Sequence, residues 1–124
     1  MTTHETERTV SVQQAARPAE APRAFIPGLG NVTSTFVIAG SNSTNGLRLT
    51  ITGLSLSTSN PATVLLQPRQ SANQEFGFPD EFAVQVITTA ADRLLVRIKR
   101  LDSGSGWGQN LRLDILIFDQ VNNP

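Results

Sequence analysis

The stretch Arg93–Asp119, RLLVRIKRLDSGSGWGQNLRLDILIFD, decides the fold class. Leu94, Val96 and Ile98 alternate with polar or charged residues, and so do Leu111, Leu113, Ile115 and Ile117. Side chains on a strand have period two, so each apolar set lies on one side of a sheet. Two such runs around a glycine-rich link, Asp102–Asn110, predict an antiparallel hairpin. The expected register has Ile98 opposite Leu113 and Val96 opposite Ile115. The same register puts Arg97 opposite Asp114 and Leu95 opposite Leu116 on the other face.

Working back from the hairpin, the texture stays β. STFVIA at 34–39 predicts a short strand, and Asn45-Gly46 a turn. GLRLTITGLSL at 46–56 places Leu47, Leu49 and Ile51 on one face. Its parity flips after Gly53, which predicts a bulge that returns Leu54 and Leu56 to the core. Asn60-Pro61 predicts a turn, 62–67 a strand that stops at Pro68, and Phe82, Val84 and Val86 the inward face of the next strand. No helical periodicity or internal repeat is visible. The expectation is all-β: a single antiparallel β-sandwich of about six to seven short strands over residues 25–124. Residues 1–24 carry charges of both signs and two prolines within ARPAEAPRA, which predicts a flexible or subunit-swapped N-terminal arm.

Composition excludes several functions. The 124 residues hold ten Lys plus Arg against ten Asp plus Glu, so no net field attracts a polyanion, and nucleic-acid binding is not expected. There is no cysteine and a single histidine, His4, which removes disulfides, thiolate zinc sites and histidine-based triads within one chain. No cofactor is expected. No apolar run approaches the ~18–20 residues of a membrane-spanning helix. The start, MTTHETERTV, lacks the order of a Sec-type signal, so the expected location is the cytoplasm or an exported particle. Neither the carboxylates Glu75, Asp80 and Glu81 nor GLG at 28–30 has the pattern of a catalytic pair or a phosphate loop. The chain is expected not to be an enzyme.

The candidate ligand site is the loop with the only tryptophan, Trp107. An indole flanked by Asp102, Gln109 and Asn110 suits a sugar, which offers a C–H face and directional hydroxyls. The alternative has Trp107 folding back as a lid on the core, with the neighbouring glycines making room. Arg97 and Arg112 are cations that an acidic ligand would meet, or members of an ion-paired surface. Leu95, Leu116 and Phe118 form an apolar set on the expected outer face of the hairpin. That predicts an oligomer interface.

These features, in order, resemble the H-type lectin-like β-sandwich family over roughly residues 55–119. The matching elements are Pro61–Val64, the strand around Phe82–Val86, LLVRIKRLD, the GWG loop and LRLDILIFD. The resemblance implies a homo-oligomer, a trimer, that binds glycans at subunit junctions through Trp107 and its neighbours. The chain departs from the family in having Leu116 and Phe118 where a tryptophan and a small residue are common, and in lacking tyrosine and a usable histidine. Two functions of different class follow. One is a carbohydrate-binding module; the other is a structural subunit of a self-assembling fibre, shell or phage-like particle.

Overall fold

A computed structural model describes residues 5–14, 17–18, 23–28, 30–56, 62–71, 81–102 and 106–119. Among these the structure is all-β, with two sheets and no helix. The strands are β1 (Thr6–Ser11), β2 (Gln13–Gln14), β3 (Arg17–Pro18), β4 (Arg23–Ile26), β5 (Gly30–Asn42), β6 (Gly46–Thr52), β7 (Thr63–Gln70), β8 (Phe82–Thr89), β9 (Arg93–Arg100) and β10 (Trp107–Asp119). One sheet, sheet A, runs β1-β6-β9-β8. Sheet B runs β3-β2-β5-β10-β7, with β4 also paired to β5.

The expected hairpin does not form. β9 pairs with β6 and β8, whereas β10 pairs with β5 and β7, so the two strands belong to different sheets. The face assignments nonetheless hold: Leu94, Val96, Ile98, Leu111, Leu113 and Ile117 are all fully buried. Alternation reports which side of a strand is apolar, and strands of two different sheets that share one core cluster satisfy it as well as neighbours in one sheet do. The buried residues of both sheets form one core cluster, to which β5 adds Val37 and Ala39 and β6 adds Leu47, Leu49 and Ile51.

Within the segment 1–24, residues 5–14 also differ from the expectation of an arm. β1 pairs in parallel with β6, Thr6 beside Leu47 through Ser11 beside Thr52. Val12 then enters the core with no exposure, its amide donating to the Thr52 carbonyl at 3.1 Å, and Gln13 pairs with Phe36 in sheet B. Residues 5–14 therefore pair within the chain rather than forming an arm outside it. The signal was a short one: Val10 and Val12 alternate with Thr9 and Ser11 in a strand pattern, next to charged residues that favour a solvated chain.

Three local expectations are refined. β6 ends at Thr52, and Gly53 at φ +89° turns the chain so that Leu54 and Leu56 are buried beyond the strand rather than across a bulge. β7 runs through Pro68 to Gln70, because it lies at the edge of sheet B and proline is tolerated where no outward donor is needed. The chain does turn before Gly46, but the turn carries it from sheet B to sheet A. The Asn42 side-chain amide ties that corner, donating to the Thr44 and Gly46 carbonyls at 2.9 and 3.0 Å. The Asn60-Pro61 turn, Glu75, Asp80 and His4 lie outside the described residues.

Candidate functional site

Trp107 opens β10 beside Asn42 of β5. Its indole is only 4% exposed. The indole Nε1–H donates to the Gly40 carbonyl at 2.8 Å. The ring meets Phe82 of β8 edge-on, with centroids 5.1 Å apart and planes at 88°. Tryptophan thus joins the two sheets: it belongs to sheet B, and its aromatic partner belongs to sheet A. An edge-to-face pair sets the positive rim of one ring against the negative face of the other. As a stacking platform for a sugar the indole would need an open face, and here it has none. Of the two readings of Trp107 that the sequence leaves open, this geometry fits the second, a lid on one end of the core.

Backbone and side chains around the indole are built to hold it. Gly40 has φ +79°, where the register between β5 and β10 shifts, and its carbonyl is the one the indole uses. Gly106 has φ +83°, and a Cβ there would stand 2.4 Å from the Asn42 carbonyl oxygen. Only glycine fits that conformation and that space. Arg100 closes the link between the sheets: its Nη1 donates to the Gly106 carbonyl at 2.5 Å, and its Nε donates to the Asp102 carboxylate. Arg8, on the inward side of β1, donates from Nη1 to the Ala39 carbonyl and so ties β1 of sheet A to β5 of sheet B.

The other candidates do not gather around Trp107. Asp102 is taken up by Arg100, and it also accepts from the Glu81 amide at 3.4 Å. Gln109 and Asn110, with Gly108, occupy the register break between Trp107 and Leu111; Gln109 is half-buried and Asn110 exposed. Arg97 lies on the outer face of sheet A, held by Glu5 through Nε to Oε2 at 3.1 Å and Nη2 to Oε1 at 2.9 Å. Arg112 lies on the outer face of sheet B, 3.8 Å above the Phe36 ring, with its Nε 2.6 Å from Asp114 Oδ1. The two arginines thus point away from each other on different sheets. Each has a carboxylate partner, which fits an ion-paired surface better than a shared anion site. Among the described residues no three His, Asp or Glu side chains converge as metal ligands.

The interface candidates divide in the same way. Leu95 sits on the outer face of sheet A between Thr50 and Thr88. Leu116 and Phe118 sit on the outer face of sheet B: Leu116 lies between Ser34 and Leu65, Phe118 between Val32 and Thr63. Leu65 is 55% exposed. The apolar strip expected along one hairpin is therefore a patch on sheet B, with Leu95 elsewhere. Leu65 and Val32 were missed because only strand pairing brings them beside Leu116 and Phe118. No helix among the described residues is long and apolar enough to cross a membrane.

No family model, curated protein or solved structure matches this chain. The likeness to H-type lectin-like modules rests on the sequence pattern alone.

Proposed function

We propose that the protein is a non-enzymatic β-sandwich module that works by associating with its own copies, as a structural subunit of a larger assembly. What carries this reading is the outer face of sheet B, where Leu116, Phe118, Leu65 and Val32 adjoin across three paired strands. A sheet face of this kind is commonly covered by another surface. The buried indole of Trp107 supports it from the other side, because the sugar-binding alternative depended on that ring being open. A trimer is the assembly the family resemblance implies. The test is the mass in solution by light scattering at tens of micromolar, with electron microscopy of the same sample. A multiple of the 13.4 kDa chain is expected, and Leu116→Arg should lower it while the far-ultraviolet dichroism stays that of a β protein. A wild-type protein with the mass of one chain removes the proposal.

Carbohydrate binding keeps one support, the polar residues Gln109 and Asn110 at the register break beside Gly108. A glycan array on wild type and Asn110→Ala tests it directly. Binding lost in the variant favours that function, and silence on the array dismisses it.

A further inference from the structure

The two sheets end on one side in β7 and β8, and these edges differ. An exposed edge presents unpaired amides and carbonyls to any other strand, and proteins ordinarily block it with charge or proline. β7 carries Pro68 and Arg69; β1, the other edge of sheet A, carries Glu7 and Arg8. β8, FAVQVITT, has no charge, proline or glycine over its eight residues. Its core-facing Phe82, Val84 and Val86 are only half-buried, whereas Ile98 and Val96, the β9 partners of Val84 and Val86, have no exposure. Among the described residues no strand pairs with the outer edge of β8, and the core is less covered there than along β9.

The direction of its hydrogen bonds is settled by the pairing with β9. The Leu101 amide donates to the Glu81 carbonyl at 2.8 Å, while the Arg100 amide turns the other way, to Asn45 at 2.9 Å. In an antiparallel ladder such bonding alternates, so Glu81, Ala83 and Gln85 bond to β9. The backbone groups of Phe82, Val84 and Val86 then face outward. Those five residues, Phe82–Val86, precede a bulge at Ile87, where the register with β9 shifts. They are self-complementary. An antiparallel copy centred on Val84 sets Val84 against Val84 and Phe82 against Val86 on the core side. On the outer side it sets Ala83 against Gln85, neutral against neutral. Every outward amide and carbonyl of the five finds a partner, about six hydrogen bonds in all.

We infer that β8 is a second self-association surface, at which two copies pair edge to edge about Val84 and join their sheets A. The inference rests on the reading of the protein as a self-associating module, but it uses a different surface from the patch of Leu116 and Phe118. Edge-to-edge addition of a strand is a general mode of recognition, and here the symmetric register makes a second copy the fitting occupant. The bulge at Ile87 limits the paired length.

A charge swap on the outer side tests this without touching the core. Ala83→Lys with Gln85→Lys places like charges directly opposite each other across the axis, and so does Ala83→Glu with Gln85→Glu. Each double variant, folded by circular dichroism, is expected to lose one step of association in sedimentation equilibrium, and an equimolar mixture to regain it. The register is checked in a chain without cysteine of its own by mixing Ala83→Cys with Gln85→Cys. Directly opposite non-bonded pairs have Cα atoms ~4.5 Å apart, within disulfide reach, so the mixture should cross-link faster than either variant alone. Charged variants that keep the wild-type mass, or that do not recombine on mixing, overturn the edge pairing. If at the same time Leu116→Arg dissociates the protein, the self-association reading stands and only the edge proposal falls. A wild-type protein with the mass of one chain overturns both.

Discussion

Trp107→Ala is the substitution that most directly tests how this molecule is built. At 4% exposure the indole is a core side chain, and truncating a buried large aromatic to alanine costs about 3–5 kcal/mol. Two features push the value toward the upper end. The half-buried Gly40 carbonyl, bonded at 2.8 Å, loses its donor, and a typical hydrogen bond contributes about 0.5–1.5 kcal/mol. The edge-on contact with Phe82 is lost as well, about 0.5–1.5 kcal/mol beyond simple burial. These overlap within the truncation figure rather than adding to it. Native domains hold only about 5–15 kcal/mol in total, so the variant should be close to unfolding. A chain of 124 residues falls between the roughly 4–8 °C per kcal/mol of smaller domains and the roughly 2–4 °C of larger ones, so the variant's midpoint should drop by roughly 10 °C or more. The assay is thermal and urea unfolding followed by far-ultraviolet dichroism, because the substitution removes the only tryptophan. Trp107→Phe keeps a ring but not the N–H and should fall between wild type and alanine. In wild type the same indole should emit as a buried fluorophore and resist quenching by acrylamide. A loss below about 1 kcal/mol, or an indole freely quenched, refutes the lid and reopens the sugar platform.

Other expectations concern the first strand, the glycines and pH. Val12→Ala should cost about 2 kcal/mol or more in urea unfolding, because it deletes two fully buried methyl groups; a neutral result would mean that the first strand does not dock. Gly106→Ala should lose at least about 2 kcal/mol, from positive φ and a Cβ 2.4 Å from the Asn42 carbonyl oxygen. At Gly108 an added Cβ would meet nothing within 4 Å, so alanine there should bring little change, and equal losses at both glycines would contradict the packing. Asp92 is held below the usual carboxylate range, first by its hydrogen bond to Arg93 and then by that charge. A lowered carboxylate pKa contributes above its unfolded value and is lost as pH falls through the lowered one. Since both groups are fully exposed, Asp92→Asn should leave the melting temperature at neutral pH unchanged, and a clear drop there would reveal a pairing stronger than surface geometry allows.

The sequence by itself determined the all-β class and the inward side of β6, β8, β9 and β10. Alternation is a local property, so Leu94, Val96 and Ile98, like Leu111, Leu113, Ile115 and Ile117, were legible as core residues without knowledge of their neighbours. The tertiary structure decided the partners. β9 and β10 lie in different sheets and contribute to one core cluster, and period two cannot distinguish that from a hairpin, because both bury the same side chains. The site depended on those partners and was therefore less legible than the fold. Glycines around Trp107 are equally suited to exposing an indole or to letting it fold inward. What decided was the Gly40 carbonyl and the Phe82 ring, 67 and 25 residues away, which long-range pairing brings against it. Likewise Leu116 gained Leu65 as a neighbour, and lost Leu95, only when the sheets were assembled. Face follows from the chain's own geometry; neighbourhood follows from which edges find each other, and that is settled by the whole core at once.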